Sequence, residues 1–401
     1  MDARSKGWVP PIWLLGLCNL PLGLYGAVML MTLPQILAAN AVPEPRIASI
    51  TAIGLLPGFC SFLVAPLLDW RFSRRTYAIA FTVIAAVLQF AALMFVRNLE
   101  VLTVCLFVGM FAVQLNVAAI GGWFATLTPV EKKGSLGAWL NVGNGLGFGV
   151  TAIIAIFLLR DLPYAVGAVI LSLLLLLPVP VLFAMASLPA DRKLAGESFR
   201  SFFRDIVDLV RRPAVFWTLL LFIMPAASFA LTNTLGGIGH DFHASEKLVG
   251  LIGGVGVTIA GVVGALMVEP VLRRRSPLTI YLWVGVLGAA FTLSLIALPL
   301  TPLVFSLAVL GENLAQSSAF TVQNTITLRT IGEDNPLAAT QFAFLTSATA
   351  LPISYMQALD GQAYGYGAAA GSFLADGALT LCACIILAIA LRIARGRGVA
   401  A

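Results

Sequence analysis

The sequence predicts an all-α membrane protein with twelve transmembrane helices in two six-helix halves. Three observations predict it. Hydrophobic residues make up 60% of the 401 and charged residues 10%, a balance that excludes a water-soluble domain of this length. The apolar stretches divide into twelve segments, each close to the roughly 20 residues a helix needs to cross the hydrocarbon. Of the 24 lysines and arginines, only Arg46, Arg97, Arg160 and Lys247 fall in odd-numbered connections, and the rest occupy the termini and the even-numbered connections. Basic loops stay on the cytoplasmic side, so the protein is expected to be multi-pass in the cytoplasmic (inner) membrane with both termini inside.

The N-terminal bundle, residues 1–187, begins with Arg4 and Lys6 ahead of an apolar run from Ile12 to Leu37. A signal peptide has a shorter apolar core, so this run is read as an uncleaved span 1. Spans 2 to 6 are expected at about 47–68, 76–96, 101–126, 135–159 and 164–187. Residues 188–212 are a cytoplasmic linker, where Phe199, Phe202, Phe203, Ile206, Leu209 and Val210 recur at near-helical spacing among charges. That pattern suits a helix lying on the membrane surface. The C-terminal bundle, 213–401, is expected to hold spans 7 to 12 at about 213–237, 248–272, 278–298, 304–328, 338–359 and 369–391. Such a plan leaves no room for a soluble catalytic domain, and the chain is not read as an enzyme.

An internal repeat supports the two halves. Leu20-Pro21 interrupts span 1 and Met224-Pro225 interrupts span 7. Pro66-Leu67-Leu68-Asp69 ends span 2, and Pro270-Val271-Leu272-Arg273 ends span 8 at the same offset. Glu131 follows span 4 as Glu333 follows span 10. Transporters built from such repeats hold substrate near mid-membrane while the repeats rock.

Several features are read as structural. The net charge of +6 resides in the cytoplasmic loops, where it meets anionic lipid rather than nucleic acid. Cys18, Cys60, Cys105, Cys382 and Cys384 all fall in spans and are read as packing residues, not disulfides. Gly143-x-Gly145-x-Gly147-x-Gly149 has no strand before it, so it suits close helix packing rather than phosphate binding. His240 and His243 are two isolated loop histidines, and no metal or other cofactor is expected. No nucleotide loop points to ATP-driven transport.

Pro66-Leu67-Leu68-Asp69, followed by Arg71 and Arg74-Arg75, resembles the cytoplasmic signature of the major facilitator superfamily, typically Gly-x-x-x-Asp-x-x-Gly-Arg-Arg. Ala65 replaces the first glycine, and one extra residue separates Asp69 from the arginine pair. The resemblance implies a monomeric transporter with a cytoplasmic gate. The residues assigned to that gate are Asp69, Arg71, Arg74, Arg75, Glu131, Arg273 and Glu333. Leu14-Leu15-Gly16, Leu20-Pro21-Leu22 and Leu33-Pro34-Gln35 resemble the opening of AmpG-type muropeptide permeases and their siderophore-permease relatives, as does Gly122-Trp123 with Pro129-x-Glu131-Lys132-Lys133-Gly134. That subgroup shows Gln-Asp-x-x-x-Asp-Gly-Trp in span 4. Here Asn116 to Trp123 contains neither aspartate, so no coupling role is carried over from it.

An acid within a span costs roughly 2.5–3.5 kcal/mol on the insertion scale and marks a functional candidate. Glu312 lies well inside span 10, and Asp376 in span 12 is the second candidate for proton coupling. Glu269, beside three arginines, reads as a structural ion pair, and Asp360 as part of the last periplasmic loop region. On the helical wheel Gln316 and Gln323 lie about 40° and 20° from Glu312, and Asn313, Ser317 and Asn324 widen the polar arc to about 140°. Such a stripe must face helices or a cavity, not lipid. Tyr25, Thr32 and Gln35 cluster on span 1, and Asn141, Asn144 and Asn233 are further candidate substrate-lining residues.

No lysine or arginine lies mid-span, whereas a carrier of strongly anionic solutes would pair them with a buried base. The expected activity is proton-coupled uptake of a neutral, cationic or amphipathic organic solute of siderophore or muropeptide type. Drug or siderophore efflux by proton antiport is the alternative within the same class. A non-transporting membrane sensor or assembly factor on the same scaffold is the alternative outside it.

Overall fold

The computed structural model describes residues 10–70, 72–185, 211–332, 335 and 337–396. Arg71, Glu333 and the expected surface helix of the linker, apart from Arg211 and Arg212, lie outside the described residues. The described chain is helical, with no β-strand, and eight of its helical stretches are long and apolar enough to cross a membrane. One of these, Ala338–Ile393, carries both of the last two expected spans. Helix also forms in the other three expected segments, which fall short for identifiable reasons. Spans 2 and 7 are broken into short pieces. Span 10, Pro302–Ile331, is a full 30 residues but carries the polar stripe around Glu312.

Prolines set the breaks. Span 1 runs as Ile12–Leu17, Leu20–Ala27, a π-helical turn at Val28–Thr32, and Leu33–Ala39. Pro34 has no N–H to return along the helix, and the wider turn before it takes up the missing bond, with the Leu33 N–H reaching back to Val28 O. Span 2 begins as Glu44–Leu55 and ends in short turns at Pro57–Cys60, Ser61–Leu63 and Ala65–Asp69. Span 7 is helical over Pro213–Ile223, opens at Met224-Pro225, and resumes as 3-10 turns at Ala230–Asn233 and Leu235–Phe242. Phe229 in that opening is left-handed, with φ 47°. Both interruptions expected from the repeat are therefore present.

Spans 3 and 4, Arg74–Met94 and Leu99–Leu127, start on side-chain caps: Ser73 accepts from the Thr76 N–H and Asn98 from the Val101 N–H. Such caps satisfy amide donors that a helix start otherwise leaves free. Spans 11 and 12 form one helical run, Ala338–Gly396, kinked at Gly367 and Ala368, the latter with φ 49°. Span 11 thus continues past its expected end at 359. Asp360 is not in a loop: it lies inside the helix and its side chain is buried.

The chain forms two compact units. The first takes the described residues of Met1–Val130, Val142–Glu197 and Ile331–Ser347, and the second those of Glu131–Asn141, Ser198–Thr330 and Ala348–Ala401. The first has a core of Leu24, Met29, Leu33, Leu93, Leu102, Leu106 and Leu171. In it span 5 (Lys133–Asp161) lies directly against span 1. A Cβ on Gly143 would stand 2.3 Å from Gly16 O, and one on Gly147 would stand 2.5 Å from Leu20 O, which explains the glycine run as a packing feature. The second has a core of Leu231, Phe242, Leu295, Phe305 and Phe373. These units differ from the expected halves in one respect. The start of span 5 packs with the second unit, and the start of span 11 packs with the first.

Candidate functional site

Asp69 ends span 2 against the start of span 11. Its Oδ2 accepts from the Thr340 N–H and the Thr340 hydroxyl, each at 2.8 Å, and its Oδ1 accepts from the Ala339 N–H at 3.3 Å. Arg74 closes the group, with Nε and Nη2 at 2.9 and 2.8 Å from Oδ1, and donates on to Asn335 O. A carboxylate at a helix start meets free N–H groups and the positive end of the helix dipole. A close approach makes room for this: a Cβ on Gly122 would stand 2.5 Å from the Ala339 N.

The second unit holds a counterpart. Glu269, near the end of span 8, accepts from the Ser135 hydroxyl at the start of span 5 and from Arg273 Nε and Nη2 at 2.9 and 2.6 Å. Arg273, expected to stand opposite Asp69 in the repeat, is thus occupied within its own helix. The acid that grips a neighbouring helix start here is Glu269, one turn earlier. Nearby, Lys133 is fully buried and its Nζ donates to Leu328 O at 2.9 Å. Arg75 donates to Met185 O in the first unit, and Glu131 is exposed.

The polar stripe of span 10 is real and mostly occupied. Gln316 donates to Phe229 O at 3.1 Å and to Thr232 Oγ1 at 2.7 Å, across the opening in span 7. Buried Gln323 donates to the Tyr281 hydroxyl at 2.9 Å. Asn313 bonds its own helix at Val309 O, and Asn324 is partly exposed. Asn141 donates to Ser317 O at 2.8 Å and Ser317 Oγ at 2.7 Å, joining spans 5 and 10. Asn233 is exposed, with Gln357 Oε1 at 3.4 Å.

Glu312 has no exposed surface. Its Oε1 lies on the Thr292 hydroxyl, which also reaches Gly288 O at 3.0 Å, and its Oε2 has no partner among the described residues. This hydroxyl bridge fits both forms of the acid. As carboxylate, Glu312 accepts the Thr292 proton; as acid, it can donate to Thr292 Oγ1 while Thr292 donates to Gly288 O. Asp376 is buried in span 12, and its Oδ1 is also unpartnered.

On span 1 the expected cluster separates. Tyr25 is buried, its hydroxyl 3.2 Å from both Cys105 O and Leu106 O, so its polar end is spent on span 4. Thr32 is buried and its hydroxyl has no partner among the described residues, Gln35 is exposed and Asn144 is partly exposed. Sequence reasoning missed Asp360 and Thr292 as neighbours of Glu312. Asp360 was hidden by a misplaced helix end, and Thr292 looks like any threonine in an apolar run.

A sequence profile of the Major Facilitator Superfamily matches residues 15–355. No curated protein matches the sequence. Among solved structures, the human organic anion transporter TETRAN superposes with TM-score 0.69 at 18% identity, covering 94% of this chain and 100% of that one. A bacterial homologue of the iron transporter ferroportin gives 0.66 at 15% identity, covering 95% and 99%. The E. coli fucose:proton symporter gives 0.68 at 14% identity, covering 94% and 98%. At these identities the likeness is one of fold, while the profile covers most of the chain: the protein belongs to the major facilitator superfamily.

Proposed function

We propose that this protein is a proton-coupled secondary transporter of the cytoplasmic membrane that takes up a neutral, cationic or amphipathic organic solute of siderophore or muropeptide type. The observation that carries the coupling is buried Glu312 with its two-way hydroxyl bridge to Thr292. An intramembrane acid with no basic partner among the described residues and a bridge that suits both protonation states can load and release a proton without rearranging its helix. Within the second unit, Gln316, Asn313 and Asn324 supply amides for the solute. The absence of a mid-span base supports a substrate without strong negative charge.

Alternating access is driven by the two acid-held helix starts. Asp69 holds span 11 and Glu269 holds span 5, and each bond set forms on closure of the cytoplasmic side and breaks on its opening. The two six-helix halves rock as repeats do in such carriers. The protein acts as a monomer with both termini in the cytoplasm.

Purified protein in liposomes loaded with a pH-sensitive dye tests the reading. Ferric hydroxamates and anhydromuropeptides are offered in turn, with and without an imposed proton gradient. Acidification of the lumen that accompanies uptake of one solute class supports the proposal. Solute flux that ignores the gradient in both directions refutes the coupling, and no flux with any solute favours a sensor role. Inverted vesicles separate uptake from efflux.

A further inference from the structure

Glu312 is one of three buried acids in the second unit. Asp360 near the end of span 11 has no exposed surface, and Asp376 in span 12 is 2% exposed. Both Asp360 oxygens, Asp376 Oδ1 and Glu312 Oε2 lack a hydrogen-bond partner among the described residues. The three acids stand on spans 10, 11 and 12 of that one unit. The polar group facing Glu312 is the Thr292 hydroxyl from span 9. No lysine, arginine or histidine enters the set. Three carboxylates without a counter-ion would cost several kcal/mol each to bury, so protons must be present among them.

The packing connects the three. After the kink at 367–368, the Ser372 hydroxyl donates to Asp360 O at 2.9 Å, tying the first turns of span 12 to the end of span 11. Ser372, Asp376 and Thr380 then follow at four-residue intervals, one face of the helix, and all three are buried. Thr380 carries a second, independent sign of a polar path: the residue is 3% exposed and its hydroxyl has no partner among the described residues. Helical side chains lean toward the N-terminus, which sets this hydroxyl over the turn of Asp376. A Cβ on the next residue, Gly377, would stand 2.6 Å from Leu293 Cγ and 3.3 Å from Ala289 O. Span 12 therefore lies on the part of span 9 that carries Thr292, the partner of Glu312. By helix rise, Asp360 and Asp376 sit about 10 and 12 Å from the kink, and Glu312 about 15 Å from the start of span 10. In the same unit Phe242 packs on Phe305 and Phe373 at 6.0 and 6.3 Å between ring centres.

A shared metal does not account for the cluster, since no three of the described His, Cys, Asp and Glu residues are placed to hold one ion. Acids on helices packed together in this way, but too dispersed to share a metal, suit stepwise proton transfer.

We propose that Asp360 and Asp376 form the proton path to Glu312, with Asp360 receiving the proton from water at the kinked end. Each step breaks one O–H bond and forms one on the next carboxyl, directly or through a hydroxyl or water, so the donor returns to carboxylate and net charge is conserved. The path rests on the reading of Glu312 as the coupling residue, and it makes Asp360 and Asp376 conductors rather than stores.

Infrared spectroscopy of the full chain in lipid nanodiscs tests this without a substrate. The protonated-carboxyl stretch is followed through a pH titration and after a jump into deuterated buffer. The band that disappears in Glu312→Gln belongs to Glu312. Asp360→Asn and Asp376→Asn are expected to keep that band but slow its deuterium exchange roughly tenfold or more, a factor worth about 1.4 kcal/mol of barrier. Asp360→Glu is expected to restore the rate, and Asp360→Ser replaces Asp360→Asn if the latter does not survive extraction. Unchanged exchange of the Glu312 band in the Asp360 and Asp376 variants overturns the path while leaving the coupling reading intact. Slowing that Asp360→Glu fails to rescue also overturns it. If Glu312→Gln removes no band at any pH, the coupling reading itself fails and the path with it.

Discussion

Replacing Asp69 with asparagine tests the helix-start cap most directly. The carboxylate accepts two backbone N–H groups and a hydroxyl from span 11 while paired with Arg74. Asparagine keeps one acceptor oxygen in place but presents an NH₂ where the other accepted from Thr340. The change removes the charge assistance, worth about 1.5–3 kcal/mol for a hydrogen bond to an ionised group. It also removes the favourable term at the helix dipole, about 0.3–1 kcal/mol. These overlap, so a loss of ~2–4 kcal/mol in the capped state is expected, an increase of roughly 30- to 700-fold in the ratio of uncapped to capped forms at tenfold per 1.4 kcal/mol. Hydrogen exchange read by mass spectrometry over residues 337–345 reports it, because the Thr340 amide is protected through Asp69. Faster exchange confined to that peptide, with turnover impaired more than substrate binding, is the expected result. Unchanged protection in Asp69→Asn would refute the argument and leave Asp69 as an ordinary charge at a helix end.

Three further outcomes are expected. Gly122→Ala places a methyl 2.5 Å from the Ala339 N, a backbone atom that cannot swing aside, so a loss of about 1–3 kcal/mol is expected from overpacking. It should be visible as a lower melting temperature and the same local rise in exchange. Glu312→Gln retains solute exchange but loses accumulation driven by a proton gradient; a variant that still concentrates solute against its gradient would remove Glu312 from the coupling role. For topology, cysteine at exposed Arg275 should be shielded from an impermeant thiol reagent in intact cells while cysteine at exposed His243 reacts, and the reverse pattern would invert the proposed orientation.

The helical membrane class was legible in sequence because burying peptide groups in lipid leaves few alternatives and requires long apolar runs. The interruptions of spans 1 and 7 were legible for a similar local reason, since a proline lacks the N–H whatever surrounds it. Asp69 was legible as a gate residue from its place at a span end ahead of Arg74-Arg75. Helix ends were less so. Span 11 was expected to stop at 359, but Gly361, Gly365 and Gly367 soften the signal, and the actual kink falls at 367–368. That error of just over two turns concealed Asp360.

The sequence by itself determined where the chain can cross a membrane, where prolines interrupt spans 1 and 7, and that Glu312 and Asp376 lie in apolar surroundings, because composition and spacing act along the chain. Which groups those acids meet was a matter of tertiary packing alone. Glu269 looked like a local ion pair with Arg273 until Ser135, distant in sequence, was found on the same oxygen. Tyr25 looked like a lining residue until its hydroxyl was found on the backbone of span 4. Glu312 acquired Thr292 only when spans 9 and 10 packed together. The physical reason is the same in each case: hydrogen bonds and charges act over a few ångströms in space, and helix packing brings together residues that no local pattern relates.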